Sequence, residues 1–299
     1  MRECEDEFIA RIWKLGTSVK AKRFVAFIDT ILRHNGGPLK FNQDRTSRII
    51  RENHVPGLFD IDFKVEAANN PSGKPLAEAP AVRFHTGLVD MAASLCAGRH
   101  RDSIDYVLTN TPLTYTTVLE RIDDVSIPAE ARICYAKLMR TLYIDREPFE
   151  MNNPVQTSRI MPPLSGSAKE IEDRLSVPPP VQVDPYASLQ GVERPTPGFR
   201  DLKDTIFTIF GRQKNIVAKN VRHNEFLIEV IRLAHQLLLF GLYDNAVVPG
   251  KHHDGVLTLG DEATELGSKL LLMVDGRKDD MNDLDGEDTD VPKRFRTDL

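Results

Sequence analysis

The sequence predicts an all-α protein built from stacked helices, and three observations support this fold class. Apolar residues recur at helical spacing in one segment after another along the 299 residues. Glycine and proline stand at the ends of these segments, where they favour helix termination. No segment shows the strict apolar and polar alternation of a half-buried strand, so about ten helices are expected.

The first two helices form a pair near the N-terminus. Their apolar positions repeat every three or four residues, as on one face of a helix. They are Phe8, Ile9, Ile12 and Trp13, and then Phe24, Phe27, Ile28, Ile31 and Leu32. The run 34–38, which contains two glycines and a proline, predicts the end of the second helix. A short helix from about Gln43 to Glu52 is expected next.

A loop and three helices are predicted between residues 60 and 122. Residues 60–80 are rich in Asn, Pro, Gly and Ala and lack any period, which favours a surface loop. A helix then resumes at Val82, and Gly98 is placed to end it. Its stripe consists of Phe84, Leu88, Met91, Ala92 and Leu95. Shorter amphipathic helices are expected at 103–108 and 114–122.

The best-marked helix begins after Pro128, where a first-turn proline is tolerated. Glu130 stands near the positive end of this helix. One face carries Ala131, Cys134, Leu138 and Leu142. The residue before Pro148 is biased away from helical angles, so this helix is expected to end near Arg146.

The proline content divides the chain into four predicted parts. Residues 6–150 form a first helical part, and residues 151–200 form a proline-rich linker or disordered insertion. Residues 201–275 form a second helical part, with helices expected at 202–217, 226–238 and 261–274. Residues 276–299 are expected to form an acidic disordered tail.

Short amphipathic helices joined by short connections must bury their apolar faces against successive neighbours. This arrangement favours an armadillo-like helical solenoid over a closed bundle. The sequence shows no fixed repeat period, so an irregular solenoid is expected.

Composition disfavours several partners. The 39 basic and 44 acidic residues give a net charge of -5, which is too weak to favour nucleic acid or an anionic membrane surface. The longest uncharged apolar run, 237–243, is far shorter than the roughly 20 residues that span a bilayer. Cys4, Cys96 and Cys134 are widely spaced and lack a CxxC motif, which favours a reducing compartment and buried thiols.

No complete catalytic or metal-binding motif stands out in the sequence, so we expect neither an enzyme nor a cofactor. His252, His253 and Asp254 lie in a loop and are interpreted as solvated rather than as metal ligands. The acidic run 279–290 does not fit a calcium-binding loop. With Gly286 at the sixth position, Met281 takes the first position and Pro292 the twelfth, where carboxylates are required.

Residues 127–148 read IPAEARICYAKLMRTLYIDREP. This segment closely resembles the homology domain shared by inositol trisphosphate and ryanodine receptors. Features resembling the same domain lie upstream at 23–28 and 42–44, and downstream at 233–243. The resemblance covers most of residues 6–275 and is closer to the inositol trisphosphate receptor.

The resemblance implies a function without catalysis. In that family the corresponding region is the first armadillo-like block, on the cytosolic face of the endoplasmic reticulum membrane, and it relays ligand binding to a distant tetrameric pore. It implies as partners other domains or subunits of such a calcium-release channel, while this chain carries neither the ligand contacts nor the pore. If the chain stands alone, the alternative is a cytoplasmic armadillo-like adaptor that binds another protein.

Five residues of the best-marked helix and its end are the candidate interface or cap residues. They are Arg132, Tyr135, Arg140, Asp145 and Arg146. Pairing between an arginine and a carboxylate around residues 145–147 is expected to fix how this helix connects to the next element.

Overall fold

The computed structural model describes residues 2–35, 37–70, 74–146, 195–212, 219–240, 242–243 and 266–267. Within these ranges it is almost entirely helical, which confirms the all-α class. The α-helices are α1 (Arg2–Val19), α2 (Lys22–Ile31), α3 (Lys40–Glu52), α4 (Phe63–Asn69), α5 (Pro80–Cys96), α6 (Arg101–Asn110), α7 (Tyr115–Asp123), α8 (Ala129–Leu138), α9 (Arg200–Arg212) and α10 (Val221–Leu239).

Three kinds of shorter element complete the described ranges. Strands β1 (Arg33–His34) and β2 (Gly37–Pro38) form a two-residue antiparallel ladder at the predicted end of α2. A π-helix, Met139–Ile144, continues α8 without a break. Single 3₁₀ turns lie at Leu76–Glu78 and Pro197–Phe199.

The predicted loop at 60–80 is wrong in its first half, because α4 lies within it. The Asp62 side chain accepts hydrogen bonds from the backbone N–H groups of Lys64, at 2.9 Å, and Val65, at 3.3 Å, and so caps the helix. Phe63 is buried in the core cluster. The cap at Asp62 and the burial of Phe63 thus stabilise a short helix that the composition of this segment does not indicate.

The C-terminus of α5 ends as the sequence predicts, at Gly98 with a φ of +67°. A Cβ atom there would lie 2.8 Å from Cγ of Pro38, so only glycine fits. The buried Gln43 of α3 donates from Nε2 to the carbonyl oxygens of Ser94, at 2.9 Å, and Ala97, at 2.8 Å. Carbonyl groups at a helix end lack partners within the helix, and Gln43 supplies a donor to them.

The helices pack in a row, in the order α2, α5, α8 and α10. A second set lies beside this row, in which α1 contacts α2 and α3, α3 contacts α6, and α7 contacts α8 and α9. The core runs through the whole row. Its fully buried side chains include Trp13, Leu88, Leu138 and Phe226. Helix α8 therefore lies in the middle of the structure, with neighbours on three sides.

Two of the three cysteines lie in the core. Cys96 and Cys134 are free and buried, as expected, and burial raises the pKa of the Cys134 thiol to about 12.

Several predicted segments lie outside the described residues. They are the helix at 261–274 except for residues 266–267, most of the 151–200 insertion and all of the 276–299 tail. The four-part division of the chain stays a prediction.

Candidate functional site

The five candidate residues lie in helix α8, in the π-helix that follows it and in the two residues after the π-helix, and each has a contact inside the chain. The first, Arg132, is only 6% exposed. Its Nε atom donates to the carbonyl oxygen of Ile122 at 2.9 Å, and its guanidinium carbon lies 4.0 Å from the centre of the Phe226 ring. Arg132 therefore joins α8 to the end of α7 and to α10.

Tyr135 is 2% exposed and faces α5. Its hydroxyl lies 2.7 Å from Nε2 of the buried His85. The Phe63 and His85 rings are nearly perpendicular, and their centres lie 5.9 Å apart. Burial, together with the nearby charge of Arg121, lowers the pKa of His85 to about 4. Burial raises the pKa of Tyr135 above its usual range. The pair is therefore neutral at pH 7 and binds α5 to α8 through a buried hydrogen bond.

Arg140 lies in the π-helix and faces α10. One of its terminal nitrogens lies 3.8 Å from Oε2 of the buried Glu229. Arg232, one helical turn further along α10, donates to Oε1 of Glu229 at 2.6 Å. The Glu229 carboxylate thus lies between two guanidinium groups, which lowers the cost of burying its charge.

Asp145 and Arg146 follow the π-helix. Asp145 accepts a 2.8 Å hydrogen bond from Nε of Arg99, a residue with a φ of +62° in the turn between α5 and α6. Arg146 is buried. The expected pairing of an arginine with a carboxylate is therefore present at Asp145, but the partner comes from residue 99 rather than from the neighbouring sequence. Glu147 lies outside the described residues.

The five candidate residues do not converge on one surface. They contact four separate neighbours: α7 and α10 for Arg132, α5 for Tyr135, α10 for Arg140, and the α5–α6 turn for Asp145. Arg132 and Tyr135 are buried side chains, so their contacts hold helices of this chain together. The role of the five residues at an interface with another molecule stays a prediction.

A buried serine and a buried histidine near the start of α6, together with the exposed Asp44 of α3, resemble a hydrolytic triad in their contacts. His100 Nδ1 lies 2.7 Å from the Ser103 hydroxyl, and His100 Nε2 lies 2.7 Å from Asp44 Oδ1. Ser103 is 1% exposed, so a substrate carbonyl cannot reach its hydroxyl. The Ser103 N–H also donates to Nδ1 at 3.3 Å, which makes His100 the N-cap of α6. His100 therefore caps α6, and its hydrogen bond to Asp44 connects this cap to α3.

A second polar cluster, which the sequence did not indicate, joins α2, α5 and α8. The Lys137 amine donates to Asp90 at 3.0 Å, and Arg33 Nε donates to the Ser94 hydroxyl at 2.7 Å. Ser94 in turn donates to Asp29. Burial raises the pKa of Asp29, despite the opposing hydrogen bond from Ser94. The only sequence signal for this cluster is the four-residue spacing of 29 and 33 and of 90 and 94.

A cavity of about 320 Å³ opens between the starts of α2, α5 and α8. Lys22 and Arg83 line it together with Glu78 and Glu130. Two positive and two negative side chains give it no preference for a ligand of either sign.

The described residues offer neither a metal-binding cluster nor a membrane-spanning helix. No group of three or more His, Cys, Asp or Glu side chains there is placed to hold a metal ion. None of the described helices combines the length and apolar character needed to cross a membrane. No protein-family model matches the chain.

Proposed function

We propose that this chain is a cytosolic helical segment of an intracellular ligand-gated calcium-release channel of the inositol trisphosphate receptor type. In this proposal its helices couple ligand binding to the gate, and its partners are other domains or subunits of a tetrameric channel at the endoplasmic reticulum. The observation that carries it is the position of α8. The helix with the closest resemblance to that family packs between α5, α7 and α10, at the centre of the row.

A packed central helix suits the transmission of movement. Movement passes between distant sites through rigid elements with tightly packed contacts, rather than through reactive side chains. Helix α8 contacts α7 and α10 through Arg132, and it contacts α5 through both Tyr135 and the Lys137 amine. A shift of α5 would therefore act directly on α8, and through it on α10.

The full-length transcript tests this function. We expect codons for ligand-binding trefoil domains upstream of Met1 and for pore helices downstream of Leu299. A transcript that encodes only these 299 residues contradicts the channel proposal. It would leave the armadillo-like adaptor that binds another protein as the function.

The row α2, α5, α8 and α10 also supports an irregular armadillo-like solenoid. In a solenoid each layer contacts only its neighbours, so stability varies along the row instead of being shared equally. Hydrogen exchange measured by mass spectrometry is expected to be slowest in α5 and α8, which have helices on both sides. Exchange is expected to be fastest in α1. Equal opening free energies for α1 and α8, after correction for intrinsic exchange rates, would instead show a single cooperative unit.

A further inference from the structure

Helix α1 carries an apolar stripe that no described element covers. Phe8 is 50% exposed, Leu15 is 46% exposed and Val19 is 56% exposed, with the half-buried Ile12 between them. Their spacing of three and four residues places them on one face of the helix. The core of the protein uses an adjacent face of α1, which carries Ile9, Trp13 and Gly16.

Helix α2 extends this surface in the same way. Its core face carries Val25, Ile28 and Leu32. Phe27 lies on a different face and is 42% exposed. The rings of Phe27 and Phe8 are nearly perpendicular, and their centres lie 5.9 Å apart. The two helices therefore present a continuous apolar surface at the end of the helical row, and we call it the α1–α2 face. Exposed apolar surfaces of this kind mark sites of association.

Exposed charges lie at both ends of the apolar stripe of α1. Glu7, which pairs with Arg11 one turn away, stands beside Phe8, whereas Lys20, Lys22 and Arg23 follow the last turn of α1. Glu7 and the three basic residues are exposed. A second α1 that packs antiparallel to the first therefore brings the exposed Glu7 of one copy next to the exposed basic residues of the other at both edges of the contact.

Side-chain size follows the same direction. The stripe begins with a large residue, Phe8, and ends with a small one, Val19. In an antiparallel pair whose two-fold axis passes between residues 13 and 14, Phe8 lies opposite Val19 and Ile12 lies opposite Leu15. Glu7 then lies opposite Lys20 in the same register. The largest side chain of the stripe, Phe8, then meets the smallest, Val19, and Glu7 and Lys20 lie beside this pair.

We propose that a second copy of this chain covers the α1–α2 face and forms a symmetric dimer. Helix α1 packs against α1 of the other copy and α2 against α2, both antiparallel, so that four helices meet at the interface. A two-fold interface requires one surface to be complementary to itself, and the pairing of Glu7 with Lys20 and of Phe8 with Val19 meets that requirement. This inference is independent of the proposed channel function, since it depends only on the α1–α2 face.

Sedimentation of the full 299-residue chain tests the dimer over roughly 1 to 200 µM, a range that covers micromolar dissociation constants. We expect the average mass to rise from 33.7 kDa toward twice that value. Leu15→Glu is expected to weaken the dimer at least about 100-fold, because the substitution occurs twice across the two-fold axis. Val125→Glu is the matched control, since Val125 is 73% exposed and far from α1 in sequence, and it should leave the mass unchanged.

A charge exchange tests the antiparallel register. Lys20→Glu places Glu7 opposite a second acidic residue and is expected to weaken the dimer about tenfold, because like charges then face each other twice. Adding Glu7→Lys restores opposite charges across the axis and should recover most of the affinity. Circular dichroism verifies that each variant keeps its helices. A chain that stays monomeric at 200 µM, a Leu15→Glu variant that dimerises like the wild type, or a double variant no better than Lys20→Glu would each overturn the proposal.

Discussion

Replacing Arg132 by alanine is expected to lower the free energy of unfolding by about 3 kcal/mol. Three contributions are lost together. The charged hydrogen bond to the Ile122 carbonyl disappears, the Phe226 ring loses the guanidinium stacked on it, and a gap opens between α7, α8 and α10. Urea unfolding followed by circular dichroism measures the change.

Two further substitutions test whether the burial of Arg132 accounts for this loss of stability. Arg11→Ala removes an exposed arginine that pairs only with Glu7 one turn away, and it should cost less than about 0.5 kcal/mol. Arg132→Lys keeps the charge but cannot reproduce the planar stacking on Phe226, so it should fall between the two alanine variants. An ordinary surface substitution changes the free energy of unfolding by about 0.5 kcal/mol or less. If the free energies of unfolding of Arg132→Ala and Arg11→Ala differ by no more than that, Arg132 does not hold α7, α8 and α10 together.

Lowering the pH from about 6.5 to about 4 is expected to reduce stability by about 3 kcal/mol through His85 alone. In the unfolded chain this histidine takes up a proton below its ordinary pKa of 6.5, whereas in the folded protein burial holds its pKa at about 4. Protons therefore favour the unfolded state throughout that interval. Above about pH 7.5 His85 is neutral in both states and contributes no dependence on pH.

Substitution of His85 by glutamine removes the titrating group and keeps a polar side chain near the Tyr135 hydroxyl. The variant is expected to be less stable at pH 7.5, but its stability should fall by about 3 kcal/mol less than that of the wild type between pH 6.5 and pH 4. His235→Gln, at an exposed position of α10, provides the comparison for the loss of a histidine outside the core. Parallel pH profiles for the wild type and His85→Gln would contradict the assignment to His85.

The helix class and most helix positions could be predicted from periodicity, because each predicted helix buries one apolar face. Helix α5 shows this well, since its predicted stripe and its end at Gly98 agree with the structure. The failure at α4 has a different cause. There the helix depends on the cap at Asp62 and on the contact of Phe63 with the core, and neither is visible in the composition of 60–80.

The candidate site was harder to predict, since its contacts join residues far apart in the chain. Tyr135 meets His85 across 50 residues, and no spacing along one helix indicates such a partner. Arg132 looks like a surface residue in the sequence because it is charged. Helix α8, however, is covered on several sides by α5, α7 and α10, so the Arg132 side chain is almost completely shielded from solvent. Knowledge of a helix's neighbours is needed to see that burial.

The π-helix at Met139–Ile144 decides the direction in which the chain leaves α8. The backbone N–H of Asp145 bonds to the Arg140 carbonyl, five residues back, at 2.7 Å. The wide turn holds one residue more than an ordinary helical turn, and one residue corresponds to a rotation of about 100°. Loss of a single residue from 139–144 would thus turn Asp145 away from Arg99, and the chain would exit toward a different side of the molecule.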